Sequence, residues 1–162
     1  MKKISVILSL ALCAALLLTS VGCAEDARVL KLGTSYYTIE IPAGMEELEL
    51  TAEDTASGMV TVLYDTETLL SIDVFEISKD GIDMDLAAYV ESEAKLYGGT
   101  DVTVTGGIGS YFLTTTIEGD TSITMVLILE DEANFIELGL TMGSDAAWDQ
   151  AEAIIASLNI AE

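Results

Sequence analysis

The chain has 162 residues, of which 28 are Asp or Glu, 6 are Lys or Arg and none is His, so its formal net charge is −22. A nucleic-acid-binding protein needs a cationic face for the phosphate backbone, which this composition cannot supply. The absence of His excludes Ser-His-Asp and Cys-His catalysis and imidazole metal ligands. A hydrophobic fraction of 51% excludes intrinsic disorder, and the length predicts one domain.

The N-terminus has the pattern of an export signal over residues 1–22. Two lysines precede an apolar run over residues 4–18, which is shorter than the roughly 20 residues that a membrane-spanning helix needs. Residues 19–23, Thr-Ser-Val-Gly-Cys, resemble a bacterial lipobox. The resemblance implies that Cys23 is lipidated and holds the protein on the extracytoplasmic face of the cell membrane. The alternative is cleavage at the small-x-small sequence of residues 22–24, which would release a secreted protein.

Cleavage on either route removes two lysines and no acid. It leaves four bases and 28 acids, a side-chain charge of −24. The four bases are Arg28, Lys31, Lys79 and Lys95. Residues 23–27 form the only tether before a single domain over residues 28–162, so we expect that domain to lie close to the bilayer.

Hairpins and helices follow one another along this domain. Alternating apolar residues and turn signals predict strands over residues 29–32, 36–41, 59–64, 69–77, 102–105, 111–117, 123–129 and 135–142. The predicted helices cover residues 86–97, with Asp85 as the N-cap and Gly98 as the stop, and residues 145–158, capped by Ser144.

The last three predicted strands are joined by turns too short for crossover helices, so they are antiparallel neighbours. The unbroken apolar run over residues 125–129 predicts a central strand buried on both faces. We therefore expect an α+β fold, in which a meander-like antiparallel sheet of about 7–8 strands is packed by a middle helix and a C-terminal helix.

Residues 37–45, Tyr-Thr-Ile-Glu-Ile-Pro-Ala-Gly-Met, resemble the early strand and the Pro-x-Gly-Trp turn of the PsbP/Mog1-like fold, with Met45 in place of the Trp. That fold occurs in many small bacterial lipoproteins of unknown function. The middle helix, the meander and the closing helix fit it over residues 28–160. The resemblance implies a mostly non-catalytic domain that binds protein partners or assists photosystem assembly, with no common set of functional residues.

Two groups of acidic residues offer the oxygen ligands that Ca²⁺ prefers. Asp80, Asp83 and Asp85 surround Gly81 before the middle helix, but they lack EF-hand spacing, and helix capping by Asp85 is the simpler interpretation. The second group has no nearby base in the sequence and is more simply a solvated charged face. Its members are Glu46, Glu47, Glu49, Glu53 and Asp54. We expect no cofactor, with Ca²⁺ as the alternative.

The aromatic residues provide one candidate contact for a partner, and the glycine-rich segment provides no candidate binding site. Tyr36 and Tyr37 point to opposite faces of a strand, so the exposed member is a candidate contact for a protein or envelope partner. Trp148 lies in the apolar stripe of the last helix, which indicates core packing. Residues 106–109, Gly-Gly-Ile-Gly, predict a turn rather than a phosphate loop, because a strand follows them.

These observations predict a lipid-anchored, extracytoplasmic binding or interaction module without catalytic activity. One alternative is an acidic protein that responds to divalent cations such as Ca²⁺. Another is a carboxylate-dependent hydrolase, whose paired acids are defined by their distance in space and cannot be named from sequence.

Overall fold

The structure is a computed structural model that describes residues 27–34, 37–117 and 119–160. Its elements, in chain order, are β1 (Arg28–Leu32), β2 (Tyr37–Ile41), β3 (Glu46–Glu47), α1 (Ala52–Ala56), β4 (Met59–Asp65), β5 (Leu70–Ser78), α2 (Leu86–Tyr97), β6 (Thr100–Thr105), β7 (Ile108–Ile117), β8 (Asp120–Glu130), β9 (Asn134–Met142), α3 (Asp145–Ala156) and β10 (Asn159–Ile160). The predicted α+β class is confirmed. The segment that contains the second acidic group, for which no element was predicted, forms β3 and α1.

The strands form two antiparallel sheets instead of the single sheet expected from the sequence. The larger has seven strands in the order β3-β4-β5-β9-β8-β7-β6, and the smaller has the order β1-β2-β10. In β2, Tyr37, Ile39 and Ile41 are buried, and they belong to the same core as the large sheet. The first hairpin therefore covers the large sheet and does not extend it.

The large sheet is the middle layer, and β8 contributes to the core on both of its faces. Met125, Leu127 and Leu129 pack in a core shared with β2 and α3, whereas Val126 and Ile128 pack in a second core beneath α2. This confirms the prediction of a doubly buried central strand. Under α3, the Trp148 ring stacks on the Phe112 ring with centroids 6.5 Å apart, in agreement with the predicted core role.

The helix ends follow the capping residues in the sequence. Asp85 accepts a hydrogen bond from the Ala88 backbone N–H at 2.9 Å, and Ser144 accepts one from the Ala147 N–H at 3.1 Å. Helix α2 has the predicted bounds, while α3 ends two residues earlier than predicted, at Ala156. None of the helices within the described ranges is long and apolar enough to cross a bilayer.

The glycine-rich segment has a structural role at the β6–β7 hairpin. Gly106 and Gly107 form its turn with φ values of +63° and +81°, which favour glycine. A Cβ atom on Gly109 would lie 2.1 Å from Val90 Cγ2, so this glycine allows α2 to approach β7 closely. The predicted turn is confirmed, and the close packing of α2 against Gly109 is a further role that the sequence did not predict.

Candidate functional site

The aspartates before α2 are exposed, and Asp85 has the geometry of a helix cap. The Asp80 backbone N–H donates to Ser78 Oγ at 3.2 Å. In the part of the chain that the structure describes, no three His, Cys, Asp or Glu side chains form a group that could hold a metal ion. Ca²⁺ binding through Asp80, Asp83 and Asp85 stays a prediction.

The second acidic group is not isolated from bases as its sequence suggested. Arg28 Nη1 lies 3.5 Å from Glu47 Oε2, because β1 and β3 lie near one another in the fold. Asp54 accepts hydrogen bonds from the Thr51 N–H and hydroxyl in a capping box at the start of α1. This segment is therefore partly structural.

Tyr37 is the inward member of the tyrosine pair. Only 5% of it is exposed, and its hydroxyl donates to the Glu130 carbonyl oxygen at 2.9 Å. This burial removes Tyr37 from the candidates for a partner contact. Tyr36 and the predicted lipidation residue Cys23 lie outside the described residues.

One open recess of about 590 Å³ lies where the β8–β9 turn meets the β1–β2 turn. Its lining residues are Thr34, Tyr37, Glu130, Asp131 and Glu132. Asp131 is buried, with its Oδ1 accepting from the Ala133 and Asn134 backbone N–H groups at 2.8 and 2.6 Å. Its Oδ2 accepts from the Thr34 N–H at 3.2 Å. Burial raises the pKa of Asp131, but these donors outweigh burial and leave the pKa below its usual range.

Lys79 completes the hydrogen bonding around this recess. Its Nζ donates to Glu130 Oε1 at 2.7 Å and to the Asp131 carbonyl oxygen at 3.1 Å, and it lies 5.5 Å from the centre of the Phe135 ring. No buried side-chain nitrogen or oxygen in the described ranges lacks a hydrogen-bond partner. The polar groups around the recess therefore hydrogen-bond to one another and stabilise the β8–β9 turn.

A second group of ionisable residues lies between α2 and the large sheet. Its members are Tyr89, Glu93, Tyr111 and Glu137. The Tyr89 hydroxyl donates to Glu137 Oε1 at 2.7 Å, while its ring stacks on Phe135 with centroids 3.9 Å apart. Burial raises the pKa of Glu137, and burial followed by the charge of Glu137 raises the pKa of Glu93. Burial also raises the pKa values of both tyrosines.

Paired acids with raised pKa values inside a cleft would indicate a carboxylate-dependent hydrolase. Glu93 and Glu137 have raised pKa values, but neither lines the recess. The recess contains Asp131 instead, whose pKa is lowered. At this recess, therefore, the space for a substrate is not accompanied by a carboxylate of raised pKa.

The margin of the large sheet at β6 and β7 is a third candidate. All residues of β6 are exposed, and Val102 and Val104 each expose 40% of their surface. Strand β7 continues beyond the end of β6, and Ile117 at its far end is 69% exposed. The sequence analysis did not identify this margin, because the order of strands in the sheet decides which strand lies at the edge. The difference in length between the longer β7 and the shorter β6 could have indicated it.

Comparisons with known proteins identify the fold. No family model matches the chain, and no curated protein matches it in sequence. Cyanobacterial PsbP from Synechocystis has a TM-score of 0.54 at 13% identity over 89% of this chain and 99% of its own. LpqN, involved in cell envelope biogenesis of Mycobacterium tuberculosis, has a TM-score of 0.50 at 14% identity over 85% and 91%.

A crystal structure from Bacteroides thetaiotaomicron also has a TM-score of 0.50, at 16% identity over 79% of this chain. The match covers 46% of that protein, so the present chain spans about half of its length. At such identities the similarities show the fold alone. They confirm the PsbP-like architecture predicted from residues 37–45 and from the order of elements over residues 28–160, whereas the lipobox lies outside the described residues.

Proposed function

We propose that this protein is a lipid-anchored, extracytoplasmic interaction module without catalytic activity. The export signal and Cys23 in its lipobox-like sequence support the location and the anchor. Two proteins with a similar fold add support: one is involved in cell envelope biogenesis, and the other is a cyanobacterial PsbP. We infer a protein or another envelope component as the partner.

The observation that carries this proposal is the low charge of the exposed margin at β6 and β7. The side chains of the mature protein carry a charge of −24, yet β6 contains a single charged residue, Asp101, and residues 113–117 contain none. Large exposed apolar groups also lie close by in the chain, at Leu96 and Tyr97, which are 69% and 61% exposed. An exposed strand edge is a template for pairing with another chain, and exposed apolar groups mark interaction sites.

The absence of catalysis is inferred from the separation of the acidic sites. Glu137 is held by the Tyr89 hydroxyl and lies away from the recess, while Asp131 in the recess is engaged by three backbone N–H groups. A catalytic acid needs a raised pKa next to a space for substrate. Glu137 has the raised pKa but does not line the recess, and Asp131 lines the recess but has a lowered pKa.

In-cell photo-crosslinking with the N-terminus intact tests the interaction. A photoreactive residue replaces Val104 or Thr115 on the margin, and Ala153 on the exposed side of α3 as the control. We expect a discrete crosslinked product from the margin positions and none from Ala153. Products that are absent, or equally strong at all three positions, would contradict an interaction module that uses this margin.

Two further measurements separate the anchor from the activity. Metabolic labelling with an alkyne fatty acid should modify the natural chain, and Cys23→Ala should abolish that label and release the protein from the membrane fraction. Purified protein should not hydrolyse a panel of glycoside and ester substrates. Turnover that is lost in Glu137→Gln or Asp131→Asn would support the hydrolase instead.

A further inference from the structure

We propose that residues 113–117 of β7, here called the β7 slot, accept an extended cationic segment of a partner protein as an additional strand. This inference rests on the proposed function, because it identifies the docking position and the chemistry of the partner. Peptides often bind by adding a strand to an exposed sheet edge, where main-chain hydrogen bonds provide affinity.

The slot exists because β6 covers only the first half of β7. Strand β6 pairs with β7 from Thr105 opposite Ile108 to Thr100 opposite Phe112. Beyond Phe112, β7 pairs with β8 on one side through to Ile117 opposite Asp120. Among the described residues, no strand pairs with the other side of residues 113–117. The slot is about 17 Å long at about 3.4 Å per residue.

The side chains of the slot suit a strand edge that receives a partner. Leu113 is half-buried beside the core under α2, and the other four residues are exposed. The sequence Leu-Thr-Thr-Thr-Ile has high β propensity and contains no charge, Pro or Gly. The pairing with β8 is continuous, without a bulge. The charges, prolines and bulges that usually protect an edge from pairing are absent here.

The other margins of the large sheet do carry such protection. Strand β3, at the opposite edge, has only two residues, Glu46 and Glu47, and both are charged and exposed. Strand β6 is irregular between Thr100 and Thr103, where Asp101 adopts a φ of +54°. Short length, charge and a bulge weaken pairing at β3 and β6, so the β7 slot is more receptive than either of these strands.

Charge identifies the occupant. Thr100 pairs with Phe112 beside the inner end of the slot, and Asp101 is the next residue of β6. The C-terminal end of α2, whose dipole favours cations, directly precedes β6 in the chain. Asp120 lies opposite Ile117 at the outer end. Lys95 in the last turn of α2 is the final base of the sequence and offsets only part of this charge. A segment with a Lys or Arg at each end is therefore complementary to the slot.

A second copy of this chain fits less well. In antiparallel self-pairing of the slot, Leu113 of one copy would lie opposite Ile117 of the other. The Asp120 end of each copy would then meet the Asp101 end of its neighbour, at two junctions. Two bodies whose side chains each carry a charge of −24 would also repel one another.

Peptide titration against the full chain in detergent micelles tests the proposal. The probe is a fluorescent peptide, Thr-Val-Thr-Val-Thr flanked by two lysines on each side, and binding is followed by fluorescence anisotropy. One control peptide has Pro at the central position, and another has Glu in place of each Lys. We expect saturable binding of the Lys probe and about tenfold weaker binding of the Pro control, which loses main-chain hydrogen bonds. The Glu control should not bind.

Variants of the protein locate the binding. Thr115→Lys places a cation on the slot and should abolish probe binding, whereas Thr66→Lys, the same change in the exposed β4–β5 turn, should not. Asp101→Asn combined with Asp120→Asn should weaken binding about fourfold, at roughly twofold for each exposed ion pair. The matched double variant, Asp149→Asn with Glu152→Gln on α3, removes the same charge and should leave the affinity unchanged.

Each result bears on the inference. Equal binding of all three peptides, or equal effects of Thr115→Lys and Thr66→Lys, would overturn it. Sedimentation that shows a dimer dissociated by Thr115→Lys would also overturn it and assign the slot to a second copy. The Asp101 and Asp120 double variant lies on the surface and tests the inference even if Thr115→Lys impairs folding. If the protein turned over a substrate but still bound the probe, the proposed function would be refuted and the slot would not. If the protein formed crosslinks in the cell at positions outside the slot and did not bind the probe, only the slot would be refuted.

Discussion

Asp131 and Glu137 lie six positions apart in the chain, and burial acts on the pKa of both, yet their pKa values shift in opposite directions. Asp131 accepts three backbone N–H bonds at the junction of two turns, whereas Glu137 accepts a single tyrosine hydroxyl on the face of a sheet. The three donors at Asp131 outweigh the effect of burial on its pKa, whereas the single donor at Glu137 does not. Turns supply free N–H groups, whereas a sheet uses its own N–H groups for strand pairing.

Asp65 supports this interpretation at a second turn. Its Oδ1 accepts from the Glu67 and Thr68 N–H groups, and its Oδ2 accepts from Gln150 Nε2 at 3.1 Å. Burial raises the pKa of Asp65, but these donors leave it lowered, as at Asp131. Two hairpin turns of the large sheet thus use an aspartate in the same way.

The largest expected effect is the loss of stability when the Asp131 carboxylate is removed from the β8–β9 turn. Asp131→Ala leaves the Thr34, Ala133 and Asn134 N–H groups without their acceptor, and we expect the free energy of unfolding to fall by about 3 kcal/mol. Urea unfolding monitored by circular dichroism measures the loss. The matched control is Glu132→Ala at the exposed neighbouring position, which should change stability by less than about 0.5 kcal/mol. Equal losses in the two variants would show that the Asp131 hydrogen bonds do not hold the turn.

A smaller loss of stability is expected when Glu137 loses its single hydrogen-bond donor, the Tyr89 hydroxyl. Tyr89→Phe keeps the ring stacked on Phe135 but removes the hydroxyl that donates to Glu137, at a cost of about 1.5 kcal/mol at neutral pH. In Glu137→Gln the side chain is uncharged, so adding Tyr89→Phe to it should cost less. A double-mutant cycle by urea unfolding measures this coupling. Additive effects would mean that the hydroxyl does not stabilise the charge.

The helix cap comes next in magnitude. Asp85→Ala removes the acceptor of the Ala88 N–H and should cost about 1 kcal/mol, while Asp83→Ala at an exposed position nearby should have no measurable effect. Thermal unfolding of both variants provides the measurement. Equal behaviour of the pair would contradict the capping role.

The same proteins test the Ca²⁺ alternative. We expect CaCl₂ and NaCl of equal ionic strength to raise the unfolding temperature equally, because both screen the repulsion among the acids. A larger increase in Ca²⁺ that disappears in Asp83→Ala would support a specific cation site before α2.

How far the sequence predicts each feature depends on how local its cause is. Asp85, Gly98 and Ser144 identify helix ends because a cap acts within a few residues, and the run over residues 125–129 predicts burial on both faces of β8. The sequence does not predict that the first hairpin forms its own sheet, because β10 joins β2 from the far end of the chain. The contacts of Glu137 and Asp131 and the uncovered half of β7 depend likewise on long-range pairing. The site was therefore less predictable than the fold.

The smallest expected effect is on the pH dependence of stability, to which Asp131 and Glu137 should contribute in opposite directions. Asp131 has a lowered pKa when folded, so its stabilisation is present above its usual value of 3.8 and is lost as the pH falls through the folded pKa. Glu137 has a raised pKa, so its contribution is complete below its usual value of 4.5 and is lost as the pH rises through the folded pKa.

Urea unfolding between about pH 3 and about pH 7 measures both dependences. The stability advantage of the natural protein over Asp131→Asn should grow as the pH rises. Its advantage over Glu137→Gln should shrink over the same range, because the variant never places a charge beneath α2. Parallel slopes for the two variants would mean that burial alone governs both carboxylates. Opposed slopes would show that free backbone N–H groups at the turn reverse the effect of burial.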